Sequence, residues 1–302
     1  MKLISFLVKK DPKEIKIGAH CGDFIVDFSP SSLPKDMISF IELGDKALSI
    51  ANDLVASQQN LIPLEDIALK APIAQPGKIL GVGLNYKEHL AEAKEIIEEQ
   101  NRNIDLQEQY PNIFNKQNSS VAGPYDHIHR PNASDQLDYE GEMGFVIGKN
   151  CRHASYDDAK ECIYGFTIVN DVTVRDWQFR GPPHTMTMGK SWDTHCPFGP
   201  YIVTADEVNP HELELKTFVN EELRQSSNTR LMIYNSYKIV EYLSTAFTLK
   251  PGDLIASGTP DGSAVTTQNW LKPGDKVKVE IEKLGYIENS IIQEPESTKL
   301  IS

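Results

Sequence analysis

The stretch that most constrains this chain is Asp138-Tyr139-Glu140-Gly141-Glu142-Met143-Gly144-Phe145-Val146-Ile147-Gly148. Read with a period of two, Asp138, Glu140 and Glu142 share one face, while Tyr139, Met143, Phe145 and Ile147 share the other. That alternation predicts a strand with one acidic and one apolar side. Side chains two apart on a strand point the same way, with Cα atoms roughly 6–7 Å apart, so two carboxylates at this spacing can converge on one ion. A second apolar run, residues 164–170, follows and ends on Asp171. A carboxylate at the end of an apolar run is placed for burial, and a buried carboxylate needs a partner. An acidic strand face alone is ordinarily solvated, but Glu140, Glu142 and Asp171 together form a hard, all-oxygen set suited to Mg²⁺ or Mn²⁺, with Ca²⁺ also accommodated.

The net charge of −13 argues against nucleic acid or an anionic membrane as the main partner. With 302 residues and 40% hydrophobic content, the chain can build one large domain or a main domain with an appendage. The four cysteines, Cys21, Cys151, Cys162 and Cys196, are scattered without metal-ligand spacing, which predicts a reduced, cytoplasmic protein. The apolar run at residues 3–8 is too short for a signal peptide or a membrane span.

Along the chain, short strands are expected at residues 3–8 and 24–28, and a helical pattern at 36–58 broken near Gly44-Asp45. The Pro/Gly-containing stretch 71–77 reads as a linker. Residues 1–71 are therefore expected as a small N-terminal domain, 72–293 as the catalytic body and 294–302 as a frayed tail. Residues 78–84 read as a buried strand. Their glycines do not complete a dinucleotide fingerprint, because Tyr86 stands where the third would fall. A helix is expected over 87–100, then a polar loop over 101–111 that could act as a lid or be a plain surface insertion, then a strand over 112–116. Residues 196–200 read as a turn before a strand at 201–204. A hairpin is expected at 213–225, a helix at 235–247 and a closing hairpin from Lys276.

Helical spacing places His89 and Glu92 at i and i+3, on one face. A carboxylate partner raises the basicity of an imidazole and fixes its tautomer, as a water- or proton-activating base requires. Such pairs on helices are more often weak ion pairs, so this one gains weight only from its company. Cys196 has no base beside it in sequence and reads as structural. His127-x-His129 lacks a third ligand nearby and reads as loop histidine. The glycine-rich turn at 257–262 offers backbone N–H groups and the Thr259 hydroxyl to a carboxylate.

Taken in order, Asn85-Tyr86-x-x-His89, Asp138-Tyr139-Glu140-Gly141-Glu142, Asn170-Asp171-x-x-x-Arg175-Asp176-x-Gln178, Gly189-Lys190-Ser191 and Ser257-Gly258-Thr259-Pro260 resemble the fumarylacetoacetate hydrolase family over residues 78–292. The resemblance implies an α+β, mainly β fold: a mixed β-sandwich roll behind the small N-terminal α/β domain, assembling as a homodimer. It implies a divalent metal on Glu140, Glu142 and Asp171, with Lys190 and the His89–Glu92 pair near the substrate. It also assigns Lys116, Arg175, Gln178 and Thr259 to substrate binding or orientation. The chain departs from compact members in a longer segment between Glu92 and Phe114, a Pro-Pro-His insertion within 179–187, and Asp261-Gly262-Ser263 after Pro260.

The chemistry implied is metal-dependent hydrolysis of a C–C bond in an acylpyruvate-like or diketo acid through a metal-stabilised enolate. Oxaloacetate decarboxylation or keto–enol isomerisation of a muconate-type diacid needs the same enolate. A ligand sensor that has lost activity would need the metal site but neither Lys190 nor His89.

Overall fold

A computed structural model describes residues 1–92, 110–181 and 185–295. The fold is α+β and mainly β, built on two large sheets. One sheet runs, in spatial order, Leu61–Pro63, Phe24–Asp27, Asp11–Cys21, Lys2–Val8, Cys196–Thr204, Ile163–Asn170, Gly141–Ile147, Leu254–Ala256, Ile79–Gly83 and Asn112–Lys116. The other places Lys276–Ile281 between Glu214–Val219 and Gly285–Gln293, with Glu222–Asn228 and Ile128–Arg130 at its edges.

The central strand Gly141–Ile147 is buried along its whole length. Met143, Phe145 and Ile147 pack in one cluster with Leu215, Val277, Val279 and Ile287 of the second sheet. Val146 lies in another, with Val169, Leu254 and Ala256 against Phe28, Phe40 and Ile41 of the N-terminal segment. A strand covered on both faces has no use for a long acidic side, and the expected single strand over 138–148 does not form. Asp138 belongs instead to the short strand Leu137–Asp138, paired with Thr173–Val174. The chain then leaves the ladder at Tyr139 and Glu140, and the central strand starts at Gly141, opposite Asn170.

The expected break at Gly44 separates two helices, Met37–Glu42 and Asp45–Ala56. The first begins where the Asp36 side chain accepts the Ser39 N–H at 2.9 Å, satisfying a donor the helix leaves free. Asn235 caps Ser236–Ala246 in the same way, through Lys238 N–H at 3.0 Å. Residues 196–204 form one continuous strand rather than a turn and a strand, because pairing to Ile163–Asn170 engages Phe198 and Gly199 as well as Val203 and Thr204. Lys2–Val8 pairs with the same strand, Lys2 opposite Val203, so the N-terminal strands extend the sheet that carries the carboxylates. The helix starting at Lys87 is described to Glu92. The rest of that expected helix, most of the expected lid, the Pro-Pro-His insertion and residues 296–302 lie outside the described residues.

Candidate active site

The end of the central strand pair gathers the three carboxylates. Glu140 precedes Gly141–Ile147, Glu142 is its second residue, and Asp171 follows Ile163–Asn170. The Asp171 N–H donates to the Glu140 carbonyl at 2.8 Å, and the Glu140 N–H donates to Asn170 Oδ1 at 3.0 Å. One oxygen from each carboxylate then falls within 4.8 Å of the others, and all three residues are buried. The glycine between the two glutamates is required by space: a Cβ on Gly141 would stand 2.2 Å from Thr217 Oγ1.

Three buried cations converge on this cluster. Lys190 Nζ donates to Glu140 Oε2 and Asp171 Oδ2, both at 2.6 Å, and to Thr173 Oγ1 at 2.9 Å. Lys116 Nζ donates to Asp171 Oδ1 at 2.6 Å. Arg175 spans two acids, with Nε on Asp138 Oδ2 at 2.7 Å and Nη2 on Glu140 Oε1 at 2.5 Å. Its Nη1 donates to Gln178 Oε1 at 2.9 Å, and Gln178 Nε2 contacts Met186 Sδ at 2.8 Å. Burial opposes ionisation of Glu140, yet Lys190 and Arg175 overcome it and pull its pKa down to about 2. Burial likewise works against the Lys190 charge, but Asp171 and Glu140 hold its pKa above the ordinary lysine value. With all three ammonium protons engaged, Lys190 is a fixed cation here and not a base.

Glu142 is different. Its Oε2 accepts the Gly258 N–H at 2.7 Å, and among the described residues no cation pairs with it. Burial, then the Asp171 and Glu140 charges, push its pKa well above the usual carboxylate range. Among the described residues, Lys116, Arg175 and Lys190 are the buried lysine and arginine partners of Asp138, Glu140, Glu142 and Asp171. An all-oxygen set with one carboxylate more than its cations fits an oxygen-coordinated divalent ion, and Glu142 is the member that most needs it.

The turn that holds Glu142 also reaches the histidine pair. His89 Nδ1 lies 3.2 Å from Glu92 Oε2, and the Gly262 N–H donates to Glu92 Oε1 at 3.4 Å. Burial would raise the Glu92 pKa, but hydrogen bonds from His89 and Thr266 bring it below the usual range. Thr259 is tied in from the middle of the turn: its hydroxyl donates to the Gly141 carbonyl at 3.0 Å. Asn85 clamps the start, donating to the Ser257 carbonyl at 2.7 Å. Every residue singled out from the sequence, His89, Glu92, Lys116, Glu140, Glu142, Asp171, Arg175, Gln178, Lys190 and Thr259, therefore joins one connected region.

Sequence reading missed three members. Gln225 accepts the Gly141 N–H at 3.0 Å and donates to Thr259 Oγ1 at 2.8 Å and the Pro260 carbonyl at 3.0 Å. Thr173 holds Lys190, and Asp138, read as part of the acidic strand face, pairs with Arg175. A buried glutamine in the polar run Glu222–Asn228 leaves no hydrophobic period to betray it. For Thr173 and Asp138 the signal was their place inside the quoted motifs.

Among the described residues no helix is long and apolar enough to cross a membrane. The chain is 38% identical over 299 residues to a rat protein, oxaloacetate tautomerase Fahd2a, mitochondrial, covering 97% of this chain and 92% of that one. Among solved structures, fumarylacetoacetate hydrolase from psychrophilic Exiguobacterium antarcticum is 32% identical with a TM-score of 0.82, covering 97% of this chain and all (100%) of that one. Maleylpyruvate hydrolase from Sphingobium sp. SYK-6, in complex with manganese(II) and pyruvate, is 28% identical with a TM-score of 0.77, covering 98% and 100%. Residues 78–292, which hold every residue of the cluster, match the fumarylacetoacetate (FAA) hydrolase C-terminal family profile, and the chain belongs to that family of enzymes.

Proposed function

We propose that this enzyme interconverts the keto and enol forms of a 2-oxo diacid of the oxaloacetate type, using a divalent metal. The observation that carries the reading is the turn at 258–262. One end holds Glu142 through the Gly258 N–H, the other holds Glu92 through the Gly262 N–H, so a metal-ligand cluster and a His–Glu pair are fixed against each other. The rat relative named as an oxaloacetate tautomerase supports the substrate class.

Glu140, Glu142 and Asp171 would hold Mg²⁺ or Mn²⁺, and Ca²⁺ suits the same donors. The ion, when bound, supplies Lewis-acid polarisation of a keto oxygen and so lowers the cost of negative charge there. With its Nδ1 hydrogen on Glu92, His89 presents Nε2 as the basic nitrogen. His89 Nε2 takes a proton from the carbon beside the keto group and, as the imidazolium, returns it at the oxygen, which restores the base. No heavy-atom bond forms or breaks and the atoms balance. Lys190 keeps Glu140 and Asp171 oriented and adds fixed positive charge. Lys116, Arg175, Gln178 and Thr259 bind and orient the diacid by exchanging one of their present hydrogen bonds for a substrate oxygen.

A second reading is hydrolysis of a C–C bond in an acylpyruvate-like acid, with His89 Nε2 taking its proton from water. The Exiguobacterium and Sphingobium neighbours, both named hydrolases, favour it. The test is ultraviolet and mass analysis of products from enol-oxaloacetate and a panel of acylpyruvates, with Mn²⁺ and with chelator. The expected result is rapid metal-dependent loss of enol absorbance without change of mass. Cleavage of an acylpyruvate to pyruvate and a second acid, without that spectral change, would replace the tautomerase reading by the hydrolase. Release of CO₂ from oxaloacetate would make the enzyme a decarboxylase.

A further inference from the structure

Asp138 is fully buried and saturated with donors. Its Oδ1 accepts the N–H groups of Tyr139 and Ala264, both at 2.7 Å, and its Oδ2 accepts Arg175 Nε at 2.7 Å and the Val265 N–H at 3.0 Å. These donors belong to two different parts of the site. Arg175 reaches Glu140 of the carboxylate cluster and Gln178. Ala264 and Val265 open the short helix Ala264–Thr267, which directly follows the turn whose Gly262 N–H bonds Glu92. We infer that Asp138 is a positioning residue: it fixes the carboxylate cluster and the His89–Glu92 pair in one mutual geometry by binding Arg175 with one oxygen and the 264–265 backbone with both. This deepens the proposed function and rests on that reading for its catalytic consequence. Its structural consequence is independent of the substrate.

The physical basis is the mismatch any neutral replacement creates. An asparagine has the same shape, but its amide donates where Asp138 only accepts. One of Arg175 Nε or the 264–265 N–H groups then faces a donor, and the buried guanidinium loses a counter-charge. Partners one shell outside a metal ligand change metal affinity by roughly 10–100-fold when removed. A residue that merely supported the fold would lower thermal stability without moving both halves of the site.

The experiment compares the parent chain with Asp138→Asn by Mn²⁺ titration followed by electron paramagnetic resonance. In metal-free samples, the imidazole ¹⁵N shifts of His89 are read, assigned by their loss in His89→Ala. The expected result is Mn²⁺ affinity weakened about 10–100-fold together with a shift of the His89 nitrogens toward the values of an unpaired imidazole. Change in only one of the two readouts, or in neither, overturns the inference. Should Asp138→Asn fail to fold, Arg175→Lys removes the guanidinium fork from the other side, and His89 nitrogens left unmoved by it would equally overturn the inference. Neither readout involves a substrate, so failure of the tautomerase reading, seen as absent turnover with both signals as expected in the parent, is a separate result.

Discussion

Replacing Glu142 by glutamine should change the sign of its effect when metal is added. In the metal-free chain Glu142 is a buried carboxylate that no cation among the described residues pairs with, close to two like charges. Glutamine keeps the shape, keeps an acceptor for the Gly258 N–H, and offers an amide donor to the oxygens of Glu140 and Asp171 within 4.8 Å. A buried polar group lacking its partner costs on the order of 1–3 kcal/mol. Removing that cost should raise the melting temperature of the metal-free protein by roughly 2–6 °C at about 2 °C per kcal/mol for a chain of this size. With Mn²⁺ at a hundred times its dissociation constant, the parent gains about 2.7 kcal/mol, or roughly 5 °C, while the variant, short of one ligand charge, gains little. The order of stability therefore inverts. Differential scanning calorimetry at pH 8, in chelator and in saturating Mn²⁺, reads both arms. A variant less stable than the parent in chelator would refute the charge argument, and an undiminished Mn²⁺ shift would remove Glu142 from the ligand set.

Three other outcomes are expected. His89→Ala should lower turnover by about 10²–10⁴-fold, the usual worth of a general base, with Mn²⁺ affinity nearly unchanged in the same titration; unaltered turnover would take the pair out of the reaction. His195 is buried, with Nε2 on the His129 carbonyl at 2.9 Å, and burial lowers its pKa to about 3. Below the unfolded value of about 6.5 the unfolded chain gains a proton that the native state refuses, so His195 costs about 1.4 kcal/mol of stability per pH unit as pH falls toward 3, and nothing above 6.5. Urea denaturation between pH 7 and 5 should show a shallower slope for His195→Asn, and identical slopes would contradict this account. Gly141→Ala puts a Cβ 2.2 Å from Thr217 Oγ1, and should lose about 1–3 kcal/mol together with Mn²⁺ affinity. Adding Thr217→Ala should restore part of both; no rescue would place the strain elsewhere.

The elements legible in the sequence were those whose period survives in the fold. Residues 163–170 and 79–83 are strands because their apolar runs are buried with a paired strand on either side, and the break at Gly44 divides two helices as its pattern implies. The period misled at Asp138-Tyr139-Glu140, where alternating acids resembled one strand face. There the alternation records two separate demands, Asp138 for Arg175 and the 264–265 backbone, Glu140 and Glu142 for the carboxylate cluster with Asp171, with the chain leaving the ladder between them. The strand Cys196–Thr204 was cut short in the reading because its two prolines and glycine look like a turn, whereas pairing with a neighbour far away in sequence decides the matter.

The sequence by itself named most of the residues that the structure brings together, carboxylates, cations and a histidine, because those identities and spacings are written in the chain. Only the tertiary structure decided how the charges balance. Glu140 and Glu142 are two residues apart, yet among the described residues one is held by Lys190 and Arg175 and the other by the Gly258 backbone N–H. That difference comes from residues 35 to 116 positions away, brought in by sheet pairing and by the turn at 258–262. Burial and partner geometry, not local pattern, set which of two neighbouring glutamates is neutralised by lysine and arginine and which, among the described residues, is left without a paired cation.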